Sequence, residues 1–474
     1  MSTLPDKYSA DLRGLLERQR SAFQQQGPPS LAQRRADLNK LRAAVFANRV
    51  AIAAAIEQDF GQRSRHETAI LEIYPLTQGI RYLDRNLRRF MQPERRHVGL
   101  LLRAGRARVE YQPLGVVGIV APWNYPLSLA LMPLATAIAA GNRALLKLSE
   151  WTPATSHLIA RMLGDLFPHE QVAVVTGDAA VGAAFCALPL DHLLFTGSTA
   201  VGRSVAKAAA EQLVPVTLEL GGKSPVVIER GYSMDRAATA VAYGKLANAG
   251  QTCIAPDYVL LHESDVESFV AAYDRAVRSL YPEGQSSKDY ASIINARHYE
   301  RLRALIEDAR TRGARVVEVG AGSGTSPDGL RRFAPLILLD VTDDMAVVHE
   351  EIFGPILPVQ TYRDIDDAIA YINARPRPLA LYYFGAESVA RHKVLTRTVS
   401  GNVTVNGTLL HYAQDDLPFG GVGASGMGAY HGMEGFRRLS HAKGIFEQGR
   451  CNAATLLRPP FGKLAEVFIR LMLR

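Results

Sequence analysis

Two side chains stand out for the chemistry that they could perform together. Cys253 ends the small and polar segment Asn248-Ala-Gly-Gln-Thr-Cys253, and Glu219 lies 34 positions earlier, in Leu218-Glu-Leu-Gly-Gly. A cysteine and a carboxylate supply a nucleophile and a base, which suits covalent catalysis at a carbonyl carbon. The cysteine reacts only as the thiolate, and its ordinary pKa is about 8.5. We therefore expect backbone N–H groups after Gly250, or a nearby cation, to lower that pKa.

The other two cysteines have no such setting. Cys186 lies in the apolar helical segment Ala-Ala-Phe-Cys-Ala-Leu, and Cys451 has no motif around it. Three cysteines do not make a disulfide framework, and a free thiol nucleophile fits a reducing compartment. The first residues contain no apolar signal region, and no apolar run is long enough to span a bilayer. We therefore expect a cytoplasmic protein without a membrane-spanning helix.

Size and charge limit the remaining classes of function. A chain of 474 residues is too long for one compact core, so we expect two or three domains. The net charge is +8, and nine arginines lie between Arg81 and Arg108. This basic region lacks the interleaved aromatic residues of a nucleic-acid site, so we predict a solvated or interface-forming face and no nucleic-acid partner. We predict no metal site.

Hydrophobic patterning predicts an α/β protein. The first hundred residues are typical of helices, over 31–57 and 67–90 with a break near Pro75. Strands and helices then alternate with short connections, which indicates parallel sheets with helices on both faces. Predicted strands are 115–120, 144–147, 172–175, 192–195, 216–218, 225–228, 258–262, 315–319, 336–340, 380–384 and 402–405. Predicted helices between them are 127–140, 153–167, 179–188, 199–211, 234–249, 265–280, 299–311, 364–373 and 388–396.

Two α/β halves meet near Leu220, and small ligands commonly bind between such halves. In the first half, Phe195-Thr-Gly197-Ser198-Thr-Ala-Val-Gly202 is a strand, a glycine turn and a helix start. Such a turn exposes N–H groups and the positive helix end to a pyrophosphate. It departs from the G-x-G-x-x-G pattern, so these residues alone also allow a plain strand-to-helix turn.

The two chemical motifs, in this order and at this spacing, resemble those of the aldehyde dehydrogenase superfamily. The resemblance extends from about Asp11 to about Gly449 and includes at least five motifs. It implies a Rossmann-like cofactor domain (1–93 and 114–221), an α/β catalytic domain (222–421) and a small oligomerisation segment (94–113 and 440–450). It also implies a homodimer that associates partly through that segment.

The resemblance assigns roles to individual residues. Cys253 is the expected nucleophile and Glu219 the expected base, while Asn124 donates to the oxyanion together with the backbone N–H of Cys253. Lys147 and Glu150 are expected to hold the adenosine ribose. The acidic Glu150 favours a free 2′-hydroxyl, so we expect NAD, with NADP possible. The full expected cofactor set is Trp123, Lys147, Glu150, Gly197, Ser198, Gly202, Leu220, Gly221, Glu351 and Phe353.

The substrate expectation comes from the branch of the family. The segments around Cys253 and 418–432 most resemble the class-three branch, which includes bacterial coniferyl and fatty aldehyde dehydrogenases. We therefore expect oxidation of an aromatic aldehyde such as coniferyl aldehyde to its acid, with a medium- or long-chain fatty aldehyde as the alternative. Phosphorylating or CoA-acylating relatives, and a non-enzymatic use of the fold, are disfavoured because Cys253 and Glu219 are both present. His431 is interpreted as a packed structural residue as readily as a substrate contact, and we leave it out of the catalytic set.

The C-terminal segment 457–474 is predicted to be an amphipathic helix. Its apolar residues recur at helical spacing on one side, and Lys463, Glu466 and Arg470 fall on the other. We expect this apolar side to pack on the protein, near the substrate entrance. The partner subunit and a membrane surface are the alternatives.

Overall fold

A computed structural model describes residues 6–320, 330–450, 455 and 458–473. Its strands, in chain order, are β1 (Glu94–Arg96), β2 (Arg106–Pro113), β3 (Val116–Val120), β4 (Arg143–Lys147), β5 (Val172–Val175), β6 (His192–Gly197), β7 (Val216–Leu220), β8 (Pro225–Ile228), β9 (Tyr258–His262), β10 (Arg315–Glu318), β11 (Leu336–Leu339), β12 (Ile356–Tyr362), β13 (Ala380–Phe384), β14 (Asn402–Val405), β15 (Gly426–Met427) and β16 (Ser440–Glu447).

The helices occupy both faces of the sheets and the N-terminal region. They are α1 (Asp6–Gln26), α2 (Leu31–Ala47), α3 (Arg49–Phe60), α4 (Arg65–Thr68), α5 (Tyr74–Phe90), α6 (Ser128–Ala140), α7 (Pro153–Leu166), α8 (Ala179–Cys186), α9 (Thr199–Glu211), α10 (Met234–Leu246), α11 (Val266–Leu280), α12 (Ala296–Thr311), α13 (Ala346–His349), α14 (Ile365–Asn373), α15 (Val389–Arg397), α16 (Gly432–Arg438) and α17 (Lys463–Met472). A π-helical turn, Ala69–Ile73, joins α4 to α5. Pro75 lies in the first turn of α5, directly after the π-helical turn, so the irregularity precedes the proline instead of following it.

Two of the sheets are almost entirely parallel. The first has the order β15-β7-β6-β3-β4-β5, in which only β15 runs antiparallel to its neighbour. The second has the order β10-β11-β12-β9-β8-β13-β14, and only β10 is antiparallel. This confirms the predicted α/β fold with parallel sheets. The third sheet, β1-β2-β16, is antiparallel and small.

The two large sheets are joined through a shared core. One buried apolar cluster includes Ile119 of the first sheet, Val259 of the second and Leu246 of α10. The chain passes from the first sheet to the second between Leu220 and Pro225, as expected. The domain boundaries given above stay a prediction.

The structure differs from the predicted elements at one missed strand and at one helix end. β12 was missed, although it lies in the middle of the second sheet. It contains Pro358, which lacks the N–H of a ladder and argues against a central strand. The structure accommodates the proline because β11 pairs with Ile356–Pro358 and β9 pairs with Val359–Tyr362, so Pro358 lies where the pairing changes from one neighbour to the other.

The predicted helix 234–249 ends instead at Leu246. Asn248 and Ala249 have left-handed backbone conformations, with φ of 52° and 51°. Residues other than glycine adopt this region at a cost and need tertiary contacts to hold them there. Those contacts belong to the candidate site described below.

The predicted C-terminal helix is present as α17, but the expectation that its apolar side packs on the chain is wrong. Ala465 is buried, whereas Leu464 is 74% exposed and Leu471 is 68% exposed. Residues 457 and 474 of the predicted segment lie outside the described residues, as does Cys451. None of the helices in the described ranges is long and apolar enough to cross a lipid bilayer.

Candidate active site

The loop before Cys253 is held by its own polar side chains. The Gln251 amide nitrogen donates to the carbonyls of Asn248 (3.0 Å) and Ser292 (3.0 Å), and its oxygen accepts the N–H of Ile294 (2.9 Å). Gly250 has a φ of 79°, and a Cβ there would overlap the carbonyl of Gly354. The left-handed turn and this close approach explain the small residues that precede the cysteine.

Asn124 lies beside this loop at the end of β3. Its side-chain nitrogen donates to the carbonyl of Gln251 at 3.1 Å, and its own carbonyl accepts from the Asn248 amide at 3.0 Å. Next to it, the hydroxyls of Tyr125 and Thr252 are 2.7 Å apart. A primary amide has two N–H groups, so Asn124 keeps one for a ligand after it binds Gln251.

Glu219 is part of β7, near its carboxyl end, and not in a loop. The side chain is buried, and neither carboxylate oxygen has a hydrogen-bond partner among the described residues. An unpartnered buried carboxylate is costly, and such groups in a protein call for a functional explanation. The position at a strand end allows the carboxylate to face the cavities described next.

Two cavities meet at these residues. The larger has a volume of about 870 Å³ and lies between the two large sheets. The smaller has a volume of about 230 Å³. Thr196, Glu219 and Cys253 line both, whereas Asn124 lines only the larger. The predicted nucleophile and the predicted base therefore lie where a ligand in one cavity would meet a ligand in the other.

The walls of the two cavities differ in chemistry. The larger is lined by glycines and by charged residues from both halves, among them Arg203, Lys223, Arg301 and Glu351. The smaller is lined mostly by apolar and aromatic side chains. Its aromatic residues are Tyr74, Tyr125, Tyr243, Tyr412, Phe419 and Tyr430.

Residues 350–353 are held against the larger cavity by a buried ion pair. Lys223 binds Asp257 and donates to the carbonyls of Val347 (2.7 Å) and Glu350 (3.0 Å). Asp257 also accepts the N–H of Ile352 at 2.9 Å. These bonds position Glu351 and Phe353 on either side of Ile352.

The structure brings most of the predicted cofactor residues together. The ring centroids of Trp123 and Phe353 are 5.4 Å apart. A Cβ on Gly221 would overlap the Glu351 carboxylate, so only glycine fits there. The predicted residues that line the larger cavity are Trp123, Gly197, Ser198, Gly221, Glu351 and Phe353.

Four predicted cofactor residues do not line that cavity. Lys147 is buried at the end of β4, and its Nζ forms an ion pair with the Glu150 carboxylate at 3.4 Å. Gly202 packs against Leu220, and a Cβ on Gly202 would overlap the leucine side chain. This contact holds α9 close to β7, with Ser198 as the N-cap of the helix.

The model of the aldehyde dehydrogenase family matches residues 1–445. The chain belongs to the aldehyde dehydrogenase family. A probable coniferyl aldehyde dehydrogenase of Pseudomonas aeruginosa is 51% identical to it over 95% of this chain and 94% of that protein. A coniferyl aldehyde dehydrogenase of Pseudomonas sp. is 47% identical over 98% of this chain and 96% of that protein.

The solved structures agree with this assignment. The structure of Staphylococcus aureus AldH in its substrate-bound state is similar to this chain with a TM-score of 0.91 and 36% identity. The match covers 98% of this chain and 99% of that one. The enzyme is thus an aldehyde dehydrogenase that uses a nicotinamide cofactor, as the sequence predicted.

Burial controls the charge state of this aldehyde dehydrogenase's candidate site. Burial, followed by the charges of Glu351 and Glu219, raises the pKa of Cys253 to about 12. The backbone N–H groups of Cys253 and Ile254 act in the opposite direction, as expected from the loop, but they do not prevail. The expectation of a lowered thiol pKa is therefore wrong for the enzyme without its cofactor.

The two carboxylates are affected in the same way. Burial alone raises the pKa of Glu219 well above its ordinary value. Burial and then the nearby Asp257 raise the pKa of Glu351 to about 8. A base with a raised pKa is suited to proton transfer at neutral pH.

The residues left out of the predicted catalytic set lie elsewhere. Cys186 is buried, and burial raises its pKa to about 11, so it is an inert core thiol as interpreted. His431 lines neither cavity and contacts the rings of Tyr412, Phe419 and Tyr430. Burial lowers its pKa to about 3, which keeps it neutral.

Sequence reasoning missed residues that the structure adds to the site. The His298 ring lies tilted against that of Trp123 with 5.0 Å between the ring centroids, and Arg301 donates to the carbonyl of Glu351 at 3.1 Å. Both lie on α12, far from the motifs along the chain. An Arg-His pair on an amphipathic helix has no distinguishing local signal, so only the fold could identify them.

The raised thiol pKa predicts how Cys253 should react in the absence of cofactor. Its alkylation by iodoacetamide should keep rising with pH to at least about pH 9, because only the thiolate reacts. Glu351→Gln removes a charge that raises the pKa and should shift the profile to lower pH. Mass spectrometry of the modified peptide gives the rates, with Cys186→Ala as the control. A plateau near neutral pH would contradict the assigned environment.

Proposed function

We propose that Cys253 is the nucleophile of this aldehyde dehydrogenase and that Glu219 is the base that completes the reaction. The observation that supports this is the meeting of the two cavities at these two side chains. The thiolate adds to the aldehyde carbon, and the Asn124 amide with the Cys253 N–H stabilises the resulting oxyanion. A nicotinamide cofactor in the larger cavity would supply the hydride acceptor for this carbon, after which Cys253 would hold the acyl group as a thioester. Glu219 then takes a proton from water, which attacks the thioester and releases the acid.

The two steps require different groups, so their variants should behave differently. Cys253→Ala should form no NADH, whereas Glu219→Gln should give a burst of about one NADH per site followed by slow turnover. Cys186→Ala is the matched control and should behave like the wild type. Stopped-flow absorbance measures burst and steady state together. Full steady-state turnover by Glu219→Gln would remove the assigned base.

We further propose that the cofactor lies in the larger cavity, with its phosphates at the start of α9. The cradle formed by Gly197, Ser198 and the helix N-terminus fits a pyrophosphate, since the first N–H groups of a helix lack partners within it. Trp123, Gly221, Glu351 and Phe353 would surround the nicotinamide end. Lys147 and Glu150 would hold the adenosine ribose beyond the cavity.

The position of Glu150 leads us to propose NAD as the preferred cofactor, because a carboxylate repels a 2′-phosphate. We expect kcat/KM to be about tenfold or more higher with NAD than with NADP. Glu150→Gln should reduce this ratio by raising the value for NADP. Equilibrium titration of NADPH fluorescence should show the same change. A wild-type preference for NADP would mean that Glu150 does not face the ribose 2′ position.

For the substrate, we propose an aromatic aldehyde such as coniferyl aldehyde. Of the relatives above, the Pseudomonas sp. protein is named as a coniferyl aldehyde dehydrogenase and the Pseudomonas aeruginosa protein as a probable one, and the smaller cavity has several aromatic walls. A medium- or long-chain fatty aldehyde is the second candidate, because the same lining is almost free of charged groups. Tyr243 is partly exposed at this cavity and offers a face for a substrate ring.

A comparison of coniferaldehyde, benzaldehyde, hexanal and hexadecanal tests this proposal. We expect the highest kcat/KM with the aromatic aldehydes. Tyr243→Leu should lower their advantage over hexanal by roughly 2- to 10-fold, as expected for the loss of one aromatic contact. A wild-type preference for hexadecanal would favour the fatty-aldehyde alternative.

We also propose a cytoplasmic homodimer. An unpaired thiol nucleophile is stable in a reducing compartment. β16 is an edge strand of the small third sheet, and Phe446 on it is about half exposed. Exposed strand edges with apolar side chains favour pairing with another chain, and a second copy of this chain would cover the edge.

A further inference from the structure

A buried group of three charged residues lies behind the candidate site. The Arg63 side chain is 0% exposed, and it is 3.2 Å from the Glu72 carboxylate and 3.7 Å from that of Glu67. None of the three lines either cavity. Charges removed from water lose their hydration, so a buried ion pair contributes little net stability and calls for another explanation.

Arg63 contacts the loop that carries Asn124. Its guanidinium donates to the Asn124 carbonyl at 3.0 Å and lies 4.8 Å from the centroid of the Tyr125 ring. The same carbonyl accepts from Asn248, in the loop of the nucleophile. The Asn124 carbonyl oxygen thus binds both Arg63 and Asn248, and it links Arg63 to the loop of Asn124 and to the loop of Cys253.

Glu67 holds the nucleophile loop directly. Its carboxylate accepts the backbone N–H of Asn248 at 2.6 Å. Asn248 is one of the two left-handed residues of that loop, and a charged acceptor on its N–H stabilises this unusual conformation.

Glu72 reaches its place through an irregular helix. It lies in the π-helical turn between α4 and α5, and such turns are frequent at functional sites. Its carboxylate accepts the N–H groups of Leu127 (2.8 Å) and Ser128 (3.1 Å), where α6 begins. In the same turn, Ile70 and Leu71 line the smaller cavity. The turn therefore connects the wall of that cavity to the loop of Asn124.

We propose that Arg63, Glu67 and Glu72 are positioning residues that fix the Asn124 amide relative to the Cys253 sulfur. This proposal rests on the roles proposed above for Asn124 and Cys253. The two loops come from different sheets, and the three charged residues bind both of them from one short stretch of chain, in which Arg63 precedes α4, Glu67 lies in α4 and Glu72 lies in the π-helical turn. A small displacement between the two loops would separate the oxyanion donor from the carbon under attack.

Arg63→Lys tests the proposal because lysine keeps the positive charge but lacks the planar guanidinium, whose several N–H groups can bind different acceptors at once. Arg34→Lys is the matched control, since Arg34 is also buried and donates to the carbonyls of Pro29 (2.9 Å) and Ala139 (3.0 Å), away from both cavities. Glu67→Gln is a milder second variant in case Arg63→Lys does not fold. The rate constant of the NADH burst, NADH binding by fluorescence and the melting temperature are measured for each variant.

We expect Arg63→Lys and Glu67→Gln to lower the burst rate constant by roughly 10- to 100-fold. NADH binding should stay within about twofold of the wild type, because these residues do not contact the cofactor cavity. Arg34→Lys should lower the melting temperature without a comparable loss of burst rate.

The decisive comparison is made in the Asn124→Ala background. If Arg63 acts through Asn124, adding Arg63→Lys to Asn124→Ala should cost less than about twofold. An equal loss in both backgrounds, or losses that follow the melting temperature for Arg63 and Arg34 alike, would overturn the proposal. A wild-type burst in Asn124→Ala alone would instead overturn the oxyanion role, and the positioning role with it.

Discussion

The hydrogen bonds between two loops from different sheets are the interaction on which the rest of the structure depends. Asn124 follows β3 of the first sheet, and Cys253 precedes β9 of the second. The Asn124 side chain binds the carbonyl of Gln251, and the Asn248 side chain binds the carbonyl of Asn124. These reciprocal bonds fix the distance between the two sheets where the cavities meet. They supplement the shared apolar core at the point where the nucleophile and the oxyanion donor face each other.

Burial of the site between the two sheets also shifts the pKa values of its ionisable side chains. Burial disfavours the charged forms of Cys253, Glu219 and Glu351, and the charges of Glu351 and Glu219 further raise the pKa of Cys253. The raised pKa of the Cys253 thiol makes it less reactive toward electrophiles in general, because only the thiolate is a good nucleophile.

Much of the parallel architecture followed from local patterning, because buried strands are short apolar runs with polar or glycine boundaries. The strands 172–175, 225–228, 258–262, 380–384 and 402–405 were predicted with their observed bounds. β12 was missed because its proline is tolerated only through an offset between two neighbouring strands. The left-handed residues after α10 were missed because the Glu67 carboxylate, which is distant along the chain, accepts the N–H of Asn248.

The candidate site was predictable where it depends on motifs and not where it depends on packing. Cys253, Glu219 and Asn124 belong to distinctive segments, and the structure brings them together. Arg63, Glu67 and Glu72 occur in a charged segment without a distinguishing local pattern, and the π-helical turn that contains Glu72 was not predicted. For α17 the local pattern was misleading. Its apolar side predicted burial, but these side chains are exposed on the described chain.

The central claim is that Cys253 carries the acyl group of the substrate. Glu219→Gln, mixed with benzaldehyde and NAD and then quenched in acid, should gain the mass of one benzoyl group. Peptide mapping should place that mass on the peptide that contains Cys253. A mass gain on Cys186, or no covalent adduct while NADH is formed, would contradict the account.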